Sequence, residues 1–236
     1  LADAEQARRR LAFDEFIALQ RAIQTRRRRL YAHAEGLPCG GDNRHVKPLL
    51  GRLGFRLTEA QTAVLREIRR DMASGKPMRR LVQGDVGSGK TIVAALGALM
   101  ALESGFSVAL MAPTEILAGQ HLQRFREWFG PLGIPVILRT AGRREGGAVE
   151  GSGVPAMVIG THALLTEGYA PEKLGLVVID EQHKFGVAQR EALLRKGRFP
   201  HLLVMTATPI PRTLALTLYG DLDCSTMRGA PAGRGR

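Results

Sequence analysis

GDVGSGKT, residues 84–91, is the stretch whose reading decides the rest of the chain. A glycine, four residues and then Gly-Lys-Thr (Gly84, Gly89, Lys90, Thr91) is the spacing of a phosphate loop. Gly84, Gly87 and Gly89 leave the backbone free to curl. Successive N–H groups of Asp85, Val86, Gly87, Ser88 and Gly89 can then turn inward onto phosphate oxygens. Lys90 adds a point charge for the β- and γ-phosphates, and the Thr91 hydroxyl is placed to ligate Mg²⁺. ATP with Mg²⁺ is therefore the expected cofactor pair. Such a loop needs a strand before it and a helix after it. Arg80–Gln83 supplies a short, largely apolar strand. Residues 91–102 (TIVAALGALMAL) supply an apolar helix whose N-terminus directs its dipole at the nucleotide. A chance glycine-rich turn between a strand and a helix has the same spacing, so the reading depends on what surrounds it.

What surrounds it is an alternation of apolar strands and helices. Strands are expected at 80–83, 107–111, 135–139, 156–160, 175–179 and 201–205. Helices are expected at 59–73, 91–103, 114–129, 161–166, 187–195 and 211–219. Thr58 is placed to cap the first of these helices, in which Ala60, Ala63, Val64 and Ile68 give helical spacing. Continuous apolar strands separated by helices imply an α/β fold with a parallel sheet covered on both faces. Right-handed crossovers then bring the strand C-termini to one edge, and each polar motif below falls on that edge.

Upstream, residues 1–34 read as one helix, with Phe13, Phe16, Ile17, Leu19 and Ile23 at helical spacing. Its Arg8–Arg10 and Arg26–Arg29 clusters fit either a solvated face on a helix packed against the main domain or a helix lying near phosphates. Residues 36–54, rich in Gly and Pro, read as a connector. Residues 140–155 read as a flexible glycine-rich loop with Arg143 and Arg144 as its notable charges.

The 236 residues carry 34 Lys+Arg against 22 Asp+Glu, a formal charge of +12. Such a balance points to a polyanionic partner, nucleic acid before an anionic membrane surface. Cys39 and Cys224, the only cysteines, lack the paired spacing of a zinc site or a disulfide framework. No apolar run is long enough to span a membrane, and the N-terminus lacks the order of a signal peptide. A cytoplasmic location is expected. A start without Met and a GAPAGRGR end read as those of a fragment.

Two more strand ends carry chemistry. LVVIDEQH, 176–183, delivers Asp180 and Glu181 to the polar end of an apolar strand. Asp180 would hold Mg²⁺, and Glu181 would take a proton from the attacking water. His183 follows, placed to couple the site to something else. MTATPIPRT, 205–213, places the Thr206 and Thr208 hydroxyls where they can bond the Asp180–His183 segment.

In order and spacing, GDVGSGKT, DEQH and TAT resemble motifs I, II and III of the superfamily 2 helicases. MAPTEILAGQH (111–121), VIGTHALL (158–165), DEQHKFGVAQR (180–190) and MTATPIPRTLALTLYGDLD (205–223) closely resemble the bacterial RecG-type, branch-migrating DNA helicases. FRLTEAQ (55–61) resembles their adenine-reading segment, and LAFDEFIALQ (11–20) the helix joining their wedge domain to the motor. The resemblance implies that Gln61 reads the adenine edge. It implies that Pro113, Thr114 and Glu115, with Gly160, Thr161 and His162, grip one DNA strand through its backbone. It also implies that the segment with Gln189 and Arg190 links the ATP site to DNA. Arg190 fits a surface salt bridge as well. The RTAG of 139–142 stands where the resemblance leads one to expect a TGS-like segment gripping the backbone.

By this resemblance, residues 1–35 are a linker helix, 36–54 a connector, and 55–225 a first RecA-like motor domain of the P-loop NTPase class. Residues 226–236 would start the link to a second motor domain. The implied whole is a monomeric, ATP-dependent helicase acting on forked or branched duplex DNA in recombination and repair. The second motor domain, with its arginine finger, and the wedge domain are the further partners, so residues 1–236 alone are expected to turn over ATP very slowly. Two alternatives stand beside it. One is the motor of a transcription–repair coupling translocase, and the other a non-hydrolysing, ATP-dependent nucleic-acid-binding scaffold.

Overall fold

Alternate residues of each central strand enter different cores, and this is what makes the strands apolar throughout. On β2 (Ser107–Met111), Val108 and Leu110 join one cluster while Ala109 and Met111 join the other. The computed structural model describes residues 2–32, 34–146, 152–171, 173–181, 187–208 and 222–227. The remaining strands are β1 (Arg79–Gly84), β3 (Val136–Arg139), β4 (Arg144–Glu145), β5 (Met157–Gly160), β6 (Leu174–Asp180), β7 (His201–Thr206) and β8 (Asp223–Met227). Among the described residues they form one sheet of eight in the order β4-β3-β5-β2-β6-β7-β1-β8. Every pairing is parallel except β3 with β4.

The helices are α1 (Ala2–Ala32), α2 (Val46–Arg52), α3 (Glu59–Met72), α4 (Lys90–Glu103), α5 (Glu115–Phe129) and α6 (Val187–Leu194). The larger core packs α2–α5 on one face of the sheet. The smaller packs Leu193 and Leu194 of α6, with Leu164 and Tyr169, on the other. The expected α/β sheet with helices on both faces is therefore present. No helix among the described residues is long and apolar enough to cross a membrane.

Four local expectations need correction. First, the face that α3 buries is Val64, Leu65, Ile68 and Met72, while Ala63 is exposed. Second, the stretch read as a connector holds α2 and is fastened to the sheet domain. The buried Glu103 carboxylate, at the end of α4, accepts N–H bonds from Asp42, Asn43, His45 and Val46. Val46 and Leu49 enter the larger core. Cys39 does too, and burial pushes its thiol pKa up to about 12, so it packs as a small apolar group.

Third, the loop read as flexible from residue 140 begins as a tight hairpin. The Thr140 N–H bonds the Arg143 carbonyl, the Arg143 N–H bonds Thr140 Oγ1, and β4 returns along β3. Glu145, which had drawn no notice, pairs with both Arg126 and Arg143. Residues 147–151 lie outside the described part. Fourth, on α1, for which packing on the main domain is one of two expectations, Leu11, Phe13 and Phe16 are exposed.

One side-chain network fixes the edge of the sheet beside β1. Arg80 is buried, and its guanidinium reaches Asp71 at 2.9 and 2.5 Å, Glu67 at 2.8 Å and Ser225 Oγ at 2.6 Å. These partners offset the cost of taking the Arg80 charge out of water. The network ties α3, β1 and β8 together.

Candidate nucleotide site and its neighbouring edge

Three adjacent strands, β6, β7 and β1, end in the three motifs. Parallel register sets their C-termini side by side, with Asp180 opposite Met205 and Thr206 opposite Gln83. Gly84 closes β1, and the loop Asp85–Gly89 turns into α4. Gly87 and Gly89 have φ of 84° and 86°, a region that favours glycine. Gly89 faces a second constraint, because a Cβ there would collide with Gln61 Nε2. Val86 and Asp85 are exposed at the loop tip. Ser88 Oγ is buried without a hydrogen-bond partner in the described structure.

The Lys90 ammonium is held at the loop by the carbonyls of Gly84 (2.6 Å) and Asp85 (2.9 Å). Desolvation lowers its pKa, and the charges of Glu181, Asp180 and Asp85 act in the opposite sense. The cation of motif I and the two carboxylates of motif II therefore share one electrostatic neighbourhood. Thr91 follows on the first turn of α4, partly buried. Glu181 stands just past the strand end with φ of 50°, a left-handed conformation that is costly for a residue with a Cβ.

Gln61 does more locally than its expected adenine contact. Thr58 and Gln61 form a capping box at the start of α3, with Gln61 Oε1 accepting the Thr58 N–H at 2.9 Å. Its Nε2 donates to the Ser88 carbonyl at 2.8 Å. The buried amide thus ties the cap of α3 to the phosphate loop. Each amide end retains further bonding capacity for a base edge.

Thr206 and Thr208 lie at the end of β7, their hydroxyls 2.8 Å apart, with the Thr208 N–H on Thr206 Oγ1. These bonds link the two threonines to each other. His183, in the segment they were expected to meet, lies outside the described residues. Gln189 and Arg190 fall on α6, Gln189 half-buried.

Sequence reasoning missed His121 altogether. It sits on α5 with Nε2 at 2.8 Å from Asp180 Oδ2, and both side chains are largely buried. The partners stand 59 residues apart, so no local spacing announces the pair. Its one visible signal is a polar residue at a buried position of the α5 apolar stripe.

The other half of the same edge carries the segments expected to face DNA. They follow β2, β5 and β3, and they are bonded to one another. The Ala112 N–H donates to the Gly160 carbonyl, the Thr161 N–H to the Arg139 carbonyl, and the Gly142 N–H to Glu115 Oε1. Pro113 is half-buried, and Thr114 caps α5 through the Leu117 N–H. At Gly160 a Cβ would collide with the Arg139 carbonyl oxygen, so only glycine fits. Thr161 is buried, which leaves His162 as the solvent-facing member of that segment.

Comparison with known proteins agrees with this geometry. Residues 58–217 match the model of the DEAD/DEAH box helicases. An ATP-dependent DNA helicase RecG of Synechocystis sp. is 50% identical over 97% of this chain and 28% of its own length. That of Escherichia coli K12 is 49% identical over 97% of this chain and 34% of its own length. The chain thus spans about a third of the length of these curated relatives. A solved structure of RecG bound to a three-way DNA junction superposes with a TM-score of 0.85 at 44% identity. It covers 98% of this chain and 32% of that one. A helicase MrfA bound to DNA, 20% identical with a TM-score of 0.64 over 86% of this chain and 32% of its own, shares the fold. With a family model matching well over half its residues, the chain belongs to the DEAD/DEAH box helicases.

Proposed function

We propose that this chain is the nucleotide-binding half of an ATP-driven motor that moves on double-stranded DNA and remodels branched DNA such as stalled forks and Holliday junctions. The single observation that carries the reading is the division of one sheet edge. The expected phosphate-site residues end β1 and β6, with the expected coupling threonines between them at the end of β7, and the expected strand-gripping segments end β2, β5 and β3. Kinship with RecG helicases supports branched DNA as the substrate.

The residues present fit Mg-ATP. The glycine curl and the N-terminus of α4 offer backbone N–H groups to phosphates. Lys90 stands ready with its charge, and Thr91 with Asp180 would hold the metal. Bound Mg²⁺ would neutralise charge on the transferred phosphoryl group. Glu181 would orient the attacking water and accept its proton, and Gln61 would recognise the adenine. Pro113–Glu115 and Gly160–His162 would hold backbone rather than bases, as movement along any sequence requires. Thr206, Thr208, His183, Gln189 and Arg190 would couple the two halves. A second motor domain and a wedge domain of the same protein would complete a monomeric, cytoplasmic machine.

Lys90→Ala tests the reading directly. It removes a charge-assisted contact of about 1.5–3 kcal/mol, so affinity for Mg-ATP should fall at least about tenfold. Equal affinity of wild type and variant, measured by calorimetry, would overturn the phosphate-loop assignment.

A further inference from the structure

We propose that His121 is a positioning residue for Asp180, holding one carboxylate oxygen so that the other is presented to the metal. The proposal rests on the reading of Asp180 as the Mg²⁺ carboxylate.

The position of His121 is unexpected on packing grounds. The buried stripe of α5 is Ala118, His121, Leu122, Phe125 and Phe129. An apolar side chain would fill the site of His121 without burying a polar ring, which is unfavourable unless bonded. The ring is bonded, at 2.8 Å to Asp180 Oδ2. A carboxylate only accepts, so Nε2 carries the hydrogen.

The ring is also locked in place. It meets Phe125 edge-on at 6.3 Å, and Phe125 meets Phe129 edge-on at 5.2 Å and Trp128 at 5.8 Å. Phe125 and Phe129 are fully buried. The aromatic stack thus fixes the imidazole, and the imidazole fixes Oδ2. Independently, His121 and Thr91 line the same groove between α4 and α5, with Gln120, Gln123, Arg124 and Glu127. The bonded carboxylate and the expected hydroxyl ligand therefore border one space. The same helix begins at the cap Thr114, within the segment assigned to DNA. A shift of α5 on strand binding would carry the imidazole with it.

The test is the Mg²⁺ dependence of nucleotide binding by residues 1–236, read with a fluorescent non-hydrolysable ATP analogue. His121→Phe keeps the edge contact with Phe125 but has no donor. Partners that orient a metal ligand contribute about 10–100-fold in metal affinity. His121→Phe should therefore raise the half-saturating Mg²⁺ concentration about tenfold or more, with affinity in EDTA unchanged. His121→Gln, which restores a donor, should recover most of the loss. His121→Met is a second donor-free variant should the phenylalanine unfold the chain.

A wild-type Mg²⁺ requirement in His121→Phe or His121→Met would overturn the proposal. So would an equal shift in the glutamine and phenylalanine variants, which would signal packing alone. Asp180→Asn separates the two levels of inference. If it alone shifts the Mg²⁺ requirement, the role of His121 falls and the site reading stands. If it too is silent, both fall.

Discussion

Replacing Glu103 by Gln tests whether residues 41–52 belong to the sheet domain or merely lead to it. The carboxylate divides its work evenly. Oε2 accepts the N–H groups of Asp42 and Asn43 at 2.9 Å, and Oε1 those of His45 and Val46 at 2.6 and 2.9 Å. A glutamine keeps one oxygen, so in either orientation its NH₂ confronts two backbone N–H groups. Two bonds to a charged acceptor are lost, each contributing about 1.5–3 kcal/mol. Asp42 is exposed and Asn43 half-buried. Water can satisfy that pair when the amide turns its NH₂ toward it, which holds the expected loss near the lower end, about 3 kcal/mol. For a chain of this size that corresponds to a fall of about 6–12 °C in melting temperature. Limited proteolysis should open residues 41–54 at the same time. The phosphate loop lies at the opposite end of α4, so affinity for Mg-ATP should hold at temperatures where the variant is folded. A stability loss below about 1 kcal/mol, or early loss of nucleotide binding with the segment still protected, would refute the reasoning.

Other outcomes follow from single sites. Gly89→Ala adds a left-handed alanine, about 1–2 kcal/mol, and a Cβ against Gln61 Nε2. Titration calorimetry should show Mg-ATP affinity reduced at least about tenfold, with melting lowered by only a few degrees. His201 is buried between the Met78 N–H, which donates to Nδ1, and the Leu37 carbonyl, which accepts from Nε2. Burial lowers its pKa, against the Leu37 bond and the Asp71 charge that favour the cation. The unfolded chain therefore binds the proton more readily. The stabilisation is complete above about pH 6.5 and lost as pH falls below it. Denaturant midpoints should drop across that window, and His201→Asn, whose Oδ1 can take the Met78 N–H, should flatten the slope. Binding to duplex DNA should be indifferent to sequence. Log affinity should fall with log salt by about 0.9 for each phosphate neutralised, and a flat plot would refute a backbone grip.

The central strands were legible because burial on both faces forces unbroken apolar runs, and runs such as LVVID cannot be mistaken for a solvated surface. The phosphate loop was legible because its requirement is local: positive φ at fixed positions, then a helix start. β8 (DCSTM) was not, since an edge strand with Cys224 and Thr226 exposed has no apolar run to betray it. α2 was not legible either, because VKPLLGR carries both Pro48 and Gly51. Its N-terminal N–H groups are satisfied by Glu103, across 57–58 residues of chain. Arg80 looked like the polar start of a strand, and its partners Glu67, Asp71 and Ser225 come from α3 and β8. In each case the deciding partner is distant in sequence, and periodicity carries no information about it.

The same distinction locates where the two halves of the edge must communicate. The proposed nucleotide residues end β1 and β6, on either side of the β7 threonines, and the segments proposed to grip a strand end β2, β5 and β3, so the boundary is the pairing of β6 with β2. The backbone ladder across it reaches Met111 opposite Ile179 and goes no further. Asp180 lies one residue past that last rung, and Pro113, which has no N–H to offer, two residues past it on the other side. Beyond the ladder, among the described residues, the side chain of His121 on α5 joins Asp180. A rigid ladder transmits little relative movement, whereas one hydrogen bond from a helix to a carboxylate can lengthen or break as the helix shifts. The polar residue placed in the buried stripe of α5 therefore sits where, on the proposed reading, strand engagement would alter the metal-binding carboxylate without disturbing the core.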